Sequence, residues 1–341
     1  MSMAETNRRS VQLASTISSP LLPTTIFIHG LDSSKETWAG TLSRLNKIGY
    51  PAIALDLRGH GESALGKATD FTPENLAQDI LDAVEEHGVR SPYVLVGHSM
   101  GGRIAMQLAA IEVEECARCR RSPRLAACVI EDMDTQIRMG ATPTDESLDL
   151  GLRDQLKSFQ GVRGRAFDSW EQCRNALLPC KYSVPKYYLV SNKTAAGYNN
   201  DAARVDGWRG NRVRQLPDGS WWSDINPVAH RLARQHVLAS PHAAAAWDRL
   251  AAAHRAAGSL PFPVHVWVAG REGTVCRWDG PGGIADMAAR LPAATVREFP
   301  GAGHSIHNTD PEAFVSALVA VIDAAAKPHP ARVGPTAARG G

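Results

Sequence analysis

The sequence predicts an α/β protein: a mainly parallel sheet flanked by helices and interrupted by one long insertion. Three observations lead there. Short apolar runs alternate with helical patterns, as they do where parallel strands are joined by crossover helices. With 341 residues, 44% of them hydrophobic, the chain is long enough to bury one large sheet-based core. One interval, from Asp134 to about Ser259, breaks the alternation and is rich in Trp, Arg and Asn.

Taken in order, the strand-like runs are 24–29, 51–57, 93–98, 125–131, 263–269 and 294–299. Helical patterns fall between them at roughly 36–48, 73–88, 100–115, 283–291 and 311–326. The expected organisation is a flexible N-terminus at 1–20, a first part of the core at 21–133, an inserted helical cap at 134–260, a second part of the core at 261–326 and a disordered tail at 327–341. The tail KPHPARVGPTAARGG is rich in Pro and Gly and has little to bury. Inside the insertion, Leu216-Pro217-Asp218-Gly219-Ser220 has hairpin turn chemistry, with Pro presetting φ and Gly accepting a positive one. Alternation along the following strand sends Trp221 and Trp222 to opposite faces, one into packing and one toward the site entrance.

Composition removes whole classes of function. A formal net charge of +2 gives no electrostatic case for nucleic acid as a partner. No apolar run reaches the ~20 residues a membrane span needs, so stable membrane insertion is not expected. The opening MSMAETNRRSVQLASTISSP lacks the apolar core of a secretory signal. Its Ser and Arg leave organellar import open, and a floppy end on a cytoplasmic protein is the simpler reading. Of the six cysteines, Cys116 and Cys119 have metal or redox spacing. They close a helical pattern, and no second such pair supplies a zinc ligand set. Reduced thiols follow.

The chemistry begins at Val96-Gly97-His98-Ser99-Met100-Gly101-Gly102, which ends an apolar strand and opens a helix with apolar residues at Ile104, Ala105 and Leu108. A Gly-x-Ser-x-Gly there places serine on a strained strand-to-helix turn, with small residues on either side leaving room for it. The hydroxyl is thrown clear of the sheet, and the Met100 N–H points at a developing oxyanion.

With these residues the chain resembles the α/β-hydrolase superfamily, and three further motifs carry the likeness. His29-Gly30-Leu31-Asp32 matches the family's oxyanion loop, which implies the Leu31 N–H as a second donor. Asp56-Leu57-Arg58-Gly59-His60-Gly61-Glu62-Ser63 matches the loop after the next strand, and Gly301-Ala302-Gly303-His304 the loop with the catalytic histidine. The resemblance covers about residues 22–133 and 261–326. It implies the α/β-hydrolase fold, a mainly parallel sheet flanked by helices with a helical cap inserted after the sixth strand. Of the remaining residues, His29 is expected to order its loop, Asp56 and His60 to brace theirs, and His98 to point away from the serine. Trp38 is expected to pack, Asp32 is split between substrate contact and solvation, and His307 is a second choice for the base.

A serine hydrolase also needs a carboxylate to orient its histidine. The family usually carries it three residues past the glycine that follows the penultimate strand. In PVHVWVAGREGTVC that position is Gly273, with Glu272 one residue short. The other location used in the fold is the end of the strand after the nucleophile helix, where the chain reads Glu131-Asp132-Met133-Asp134. A subset of esterases in the superfamily carries an aspartate there, and their histidine loop and tryptophan-bearing cap hairpin are similar to GAGHSIHNTDPE and DGSWWSDIN here. Asp132 is therefore the favoured acid, with Glu272 the alternative and Glu131 or Asp134 behind it.

The resemblance implies a serine hydrolase acting on small carboxylic esters or thioesters, with Ser99, His304 and Asp132 catalytic and Met100 and Leu31 forming the oxyanion hole. Neither metal nor organic cofactor is required. Other chemistry on the same residues (carbon–carbon hydrolysis, a lyase reaction or acyl transfer) stays open, as does a catalytically idle ligand receptor. Substrate identity and oligomeric state are not legible.

Overall fold

The computed structural model describes residues 11–13, 22–137, 166–177, 213–223 and 226–327. The expected tail beyond Lys327, Cys180 and all of the N-terminus but 11–13 lie outside the described residues. In chain order the elements begin with β1 (Val11–Leu13), β2 (Thr25–Ile28), α1 (Ala39–Lys47), β3 (Ala52–Leu55) and α2 (Pro73–Glu86). Next come β4 (Tyr93–His98), α3 (Met100–Cys119) and β5 (Leu125–Glu131). The insertion holds β6 (Ala166–Phe167), α4 (Trp170–Leu177), β7 (Val213–Gln215), β8 (Trp221–Ser223) and α5 (Pro227–Ala233). The chain closes with α6 (His242–Ala257), β9 (Val264–Ala269), α7 (Ile284–Arg290), β10 (Ala294–Phe299), α8 (Ile306–Thr309) and α9 (Pro311–Ala326).

The sheet order is β1-β3-β2-β4-β5-β9-β10. All neighbours are parallel except β1, which runs antiparallel to β3 at the edge. Successive side chains on a strand point to opposite faces, and each face meets its own helices. Ile26, Ile28, Val264, Val266 and Val268 enter one core, shared with α2, α3, α6 and α7. Phe27, Val94, Val96, Trp267 and Ala269 enter the other, with α1 and α9.

Local sequence sets the helix starts. Thr72-Pro73, Asn226-Pro227 and Asp310-Pro311 each pair a capping side chain with proline at the first helical position. The cap oxygen accepts an N–H inside the first turn, and proline has no N–H to leave unbonded there.

Helix α6 was not anticipated, because it lies in the interval without alternation. Its sequence HAAAAWDRLAAAHRAA is nevertheless rich in the best helix former. It buries Trp247, whose indole N–H donates to the Met287 carbonyl at 3.0 Å. The described part of the insertion also contains a small antiparallel sheet, ordered β6-β8-β7. Its β7–β8 turn closes as the Pro-Asp-Gly pattern predicts, with Gly219 at φ +85°. Trp221 is buried against Trp170, and Trp222 is half-buried beneath Arg214, its ring centroid 4.4 Å from the guanidinium carbon. The insertion departs after β5, the fifth strand along this chain, since a single strand precedes β2 among the described residues. Among those residues no helix is long and apolar enough to cross a membrane.

Candidate active site

The candidate residues gather at the carboxyl ends of the parallel strands, where open α/β sheets hold their ligands. Ser99 joins β4 to α3 at φ +54°, ψ −119°. That is a strained region for a side-chain-bearing residue, and close packing enforces it. A Cβ on Gly97 would lie 2.3 Å from the Gly101 carbonyl oxygen, and one on Gly101 would lie 2.6 Å from the His29 carbonyl oxygen. The turn is tied down by Ser99 N–H donating to the Glu131 carbonyl at 2.9 Å and Gly102 N–H to the Ser99 carbonyl at 2.8 Å.

The loop after β2 lies against this turn. A Cβ on Gly30 would meet Ser99 Cβ at 3.1 Å and His98 Nδ1 at 3.0 Å, so glycine lets the loop approach this closely without displacing either side chain. His29 orders the loop as expected. Its Nε2 accepts the Leu57 N–H at 3.1 Å, which leaves Nδ1–H to donate to the Gly30 carbonyl at 2.7 Å. The neighbouring loop is braced from Asp56, whose carboxylate accepts Lys35 Nζ at 2.9 Å and the Glu62 N–H at 3.0 Å.

Two adjacent carboxylates at the end of β5 face opposite ways. Asp132 is fully buried, and His304 Nδ1 donates to its Oδ2 at 2.6 Å. Four more donors converge on it: Ala269 N at 2.9 Å, Thr274 Oγ1 at 2.6 Å, Val275 N at 3.0 Å and the Cys276 thiol at 3.7 Å. Burial alone would raise the carboxyl's pKa, but the His304 hydrogen bond and charge, with the Thr274 and Ala269 donors, hold it below the usual value. Glu131 instead accepts His307 Nδ1 at 2.8 Å and His307 N–H at 3.0 Å. His307 is buried and stacked on Trp38 at 4.0 Å, a packed position rather than that of a base open to substrate.

Asp134 accepts N–H groups of Gln136 and Arg277. Glu272 is exposed on its loop. The family's usual acid position, Gly273, has no room for a side chain: a Cβ there would lie 2.7 Å from both the Ala302 oxygen and Gly303 Cα. The GREGTVC loop thus contributes donors to the acid, which sequence reasoning missed. Its threonine gave no signal, because its partner is 142 residues away.

His98 turns behind the histidine loop. Its Nε2–H donates to the His304 carbonyl at 3.1 Å, and its ring lies 4.6 Å from that of His304. Burial first, then the neighbouring His304 and His307, push its pKa well below the ordinary histidine value. Cys116 and Cys119 end α3, where burial lifts the Cys116 thiol to about 11 and makes it a poor thiolate.

A histidine whose Nδ1–H is committed to a buried carboxylate presents Nε2 as its basic nitrogen. Nucleophilic acyl chemistry uses a base so oriented together with a serine on a strained turn. A family model described as the alpha/beta hydrolase family matches residues 25–317. The chain belongs to the alpha/beta hydrolase family. Family membership supports a hydrolytic activity. Protein phosphatase methylesterase 1 of Mus musculus is 38% identical to this protein over 91 residues, 26% of this chain and 24% of that protein. The chain therefore spans about a quarter of that relative's length. The thioesterase domain from the curacin biosynthetic pathway superposes with a TM-score of 0.58 at 16% identity, covering 92% of this chain and 95% of that one. E-2-(acetamidomethylene)succinate hydrolase gives 0.56 at 21% identity, over 93% and 98%. At such identities the structural likeness speaks for the fold alone.

Proposed function

We propose that this hydrolase cleaves small carboxylic esters or thioesters through an acyl-enzyme on Ser99. His304 Nε2 takes the proton from Ser99 Oγ as the oxygen attacks the carbonyl carbon, and then delivers it to the departing alcohol or thiol. In the second half His304 activates water, which attacks the acyl-enzyme and releases the acid and free Ser99. The N–H groups of Met100 and Leu31 hold the oxyanion in both tetrahedral intermediates. Asp132 keeps His304 in the productive tautomer and stabilises the imidazolium. The insertion, taken as residues 134–260, is the cap that selects the acyl group.

The observation that carries this reading is the 2.6 Å pairing of His304 Nδ1 with a buried, fivefold-bonded Asp132, which follows the Glu131 whose carbonyl ties down the Ser99 elbow. A fluorophosphonate probe tests it: wild type is labelled and Ser99→Ala is not, whereas equal labelling of both removes Ser99 from the mechanism. A panel of p-nitrophenyl esters and thioesters of increasing acyl length then ranks substrates by kcat/KM. Labelling without turnover of any member would move the chemistry to carbon–carbon cleavage or acyl transfer.

A further inference from the structure

The insertion reaches into the loop after β2 through a buried imidazole–carboxylate contact. His230, on α5, is 2% exposed, and its Nδ1 lies 2.8 and 2.9 Å from the two carboxylate oxygens of Asp32, which is 4% exposed. Asp32 directly follows Leu31 and adopts a left-handed backbone at φ +54°. Asn226 caps the first turn of α5 from within, accepting the Val228 and Ala229 N–H groups. One other contact docks the helix: Ala229 packs so tightly on the loop after β3 that a Cβ on Gly59 would lie 2.7 Å from its own.

Burying a carboxylate and an imidazole is costly unless they are paired, and an apolar contact would fasten a helix as well or better. What the pair adds is position. Leu31 is held on its N-terminal side by the His29 ring, bonded to Gly30 and Leu57. On its C-terminal side stands Asp32, which holds a left-handed backbone at φ +54° and pairs with a histidine 198 residues away.

From this clamp we propose that His230 is a positioning residue for the hydrolysis, acting through Asp32 to hold the Leu31 amide where the oxyanion forms. The oxyanion hole is then complete only when the α5 part of the insertion is docked. A displacement of about 1 Å in such a site can cost ~100-fold in rate, and loss of one oxyanion donor costs about 10²–10³ in kcat. The inference rests on the acyl-enzyme reading above.

The test uses the full chain and a short p-nitrophenyl ester, with sites counted by fluorophosphonate titration so that unfolded molecules drop out. In His230→Ala, kcat per titrated site falls about 10- to 100-fold while KM changes by less than about twofold. His230→Asn, which keeps an N–H donor near the Nδ1 position, recovers most of the loss. Asp32→Asn keeps the side chain most tolerant of left-handed φ, removes the charge and also lowers kcat. The double variant Asp32→Asn/His230→Ala is no worse than His230→Ala alone, because the two act as one unit. Should His230→Ala not fold, Asp32→Asn and His230→Asn decide the matter by the same readout. Unchanged kcat per site, with only the melting temperature lowered, would overturn the proposal and leave the pair as a fastener. Failure of the wild type to take up the probe would overturn the reading of Ser99, and this inference with it.

Discussion

Glu131 and Asp132 differ by one position on a strand end, and that single step sends them to different histidines. Strand alternation required that only one of them face His304, so this much was legible from the sequence. Which one faces it depends on the register of β5 against β9, where Glu131 pairs with Trp267, and register is a property of the sheet. Asp132→Asn is expected to keep the fold and lose about 10²–10⁴ in kcat, since the same exchange in a serine-protease triad costs ~10⁴. Glu272→Gln should be near wild type. Circular dichroism on both separates lost catalysis from unfolding. Gly273→Asp should not rescue Asp132→Asn, because its Cβ has no space against Ala302 and Gly303.

Among elements, the Ser99 turn and the β7–β8 turn show how far a glycine's surroundings decide its tolerance. At Gly101 an added methyl meets backbone oxygens of His29 and Ile28 at 2.6 and 2.7 Å, neither of which can yield without moving β2. Gly101→Ala should therefore destabilise by about 3 kcal/mol or more and abolish labelling of Ser99. Gly219 has open space around it but a left-handed φ, so Gly219→Ala should cost only ~1 kcal/mol with catalysis intact. Denaturant titration of both variants checks the contrast. The parallel strands and their helices were legible because apolar runs and capping residues lie within a few positions of one another. Helix α6 was legible in composition but hidden by its place in an irregular interval. Thr274 and His230 were not legible at all, since each acquires its partner only on folding.

For the molecule as a whole, the buried titratable groups set a pH dependence of stability. His98 and His265 are held below the ordinary 6.5, both first by burial. The unfolded chain therefore binds their protons at higher pH than the folded chain does. Stability from keeping them neutral is full above about pH 6.5 and is lost as pH falls below it, by up to about 1.4 kcal/mol per pH unit for each proton. Asp132, lowered from 3.8, adds a loss of the same sign only in more acidic solution. The melting temperature should fall between about pH 7 and about pH 5, less steeply in His98→Gln, and identical slopes would contradict the assignment.

The central claim is a covalent acyl group on Ser99, positioned by a histidine whose acid has moved to Asp132. Its most direct test is rapid mixing with an excess of a slowly turned-over p-nitrophenyl ester, followed by acid quench and peptide mass spectrometry. The account predicts a burst approaching one p-nitrophenol per chain and an acyl mass on the peptide carrying Ser99, with the burst rate reduced in Asp132→Asn. Turnover with no burst and no adduct on Ser99, or an adduct on another side chain, would contradict it.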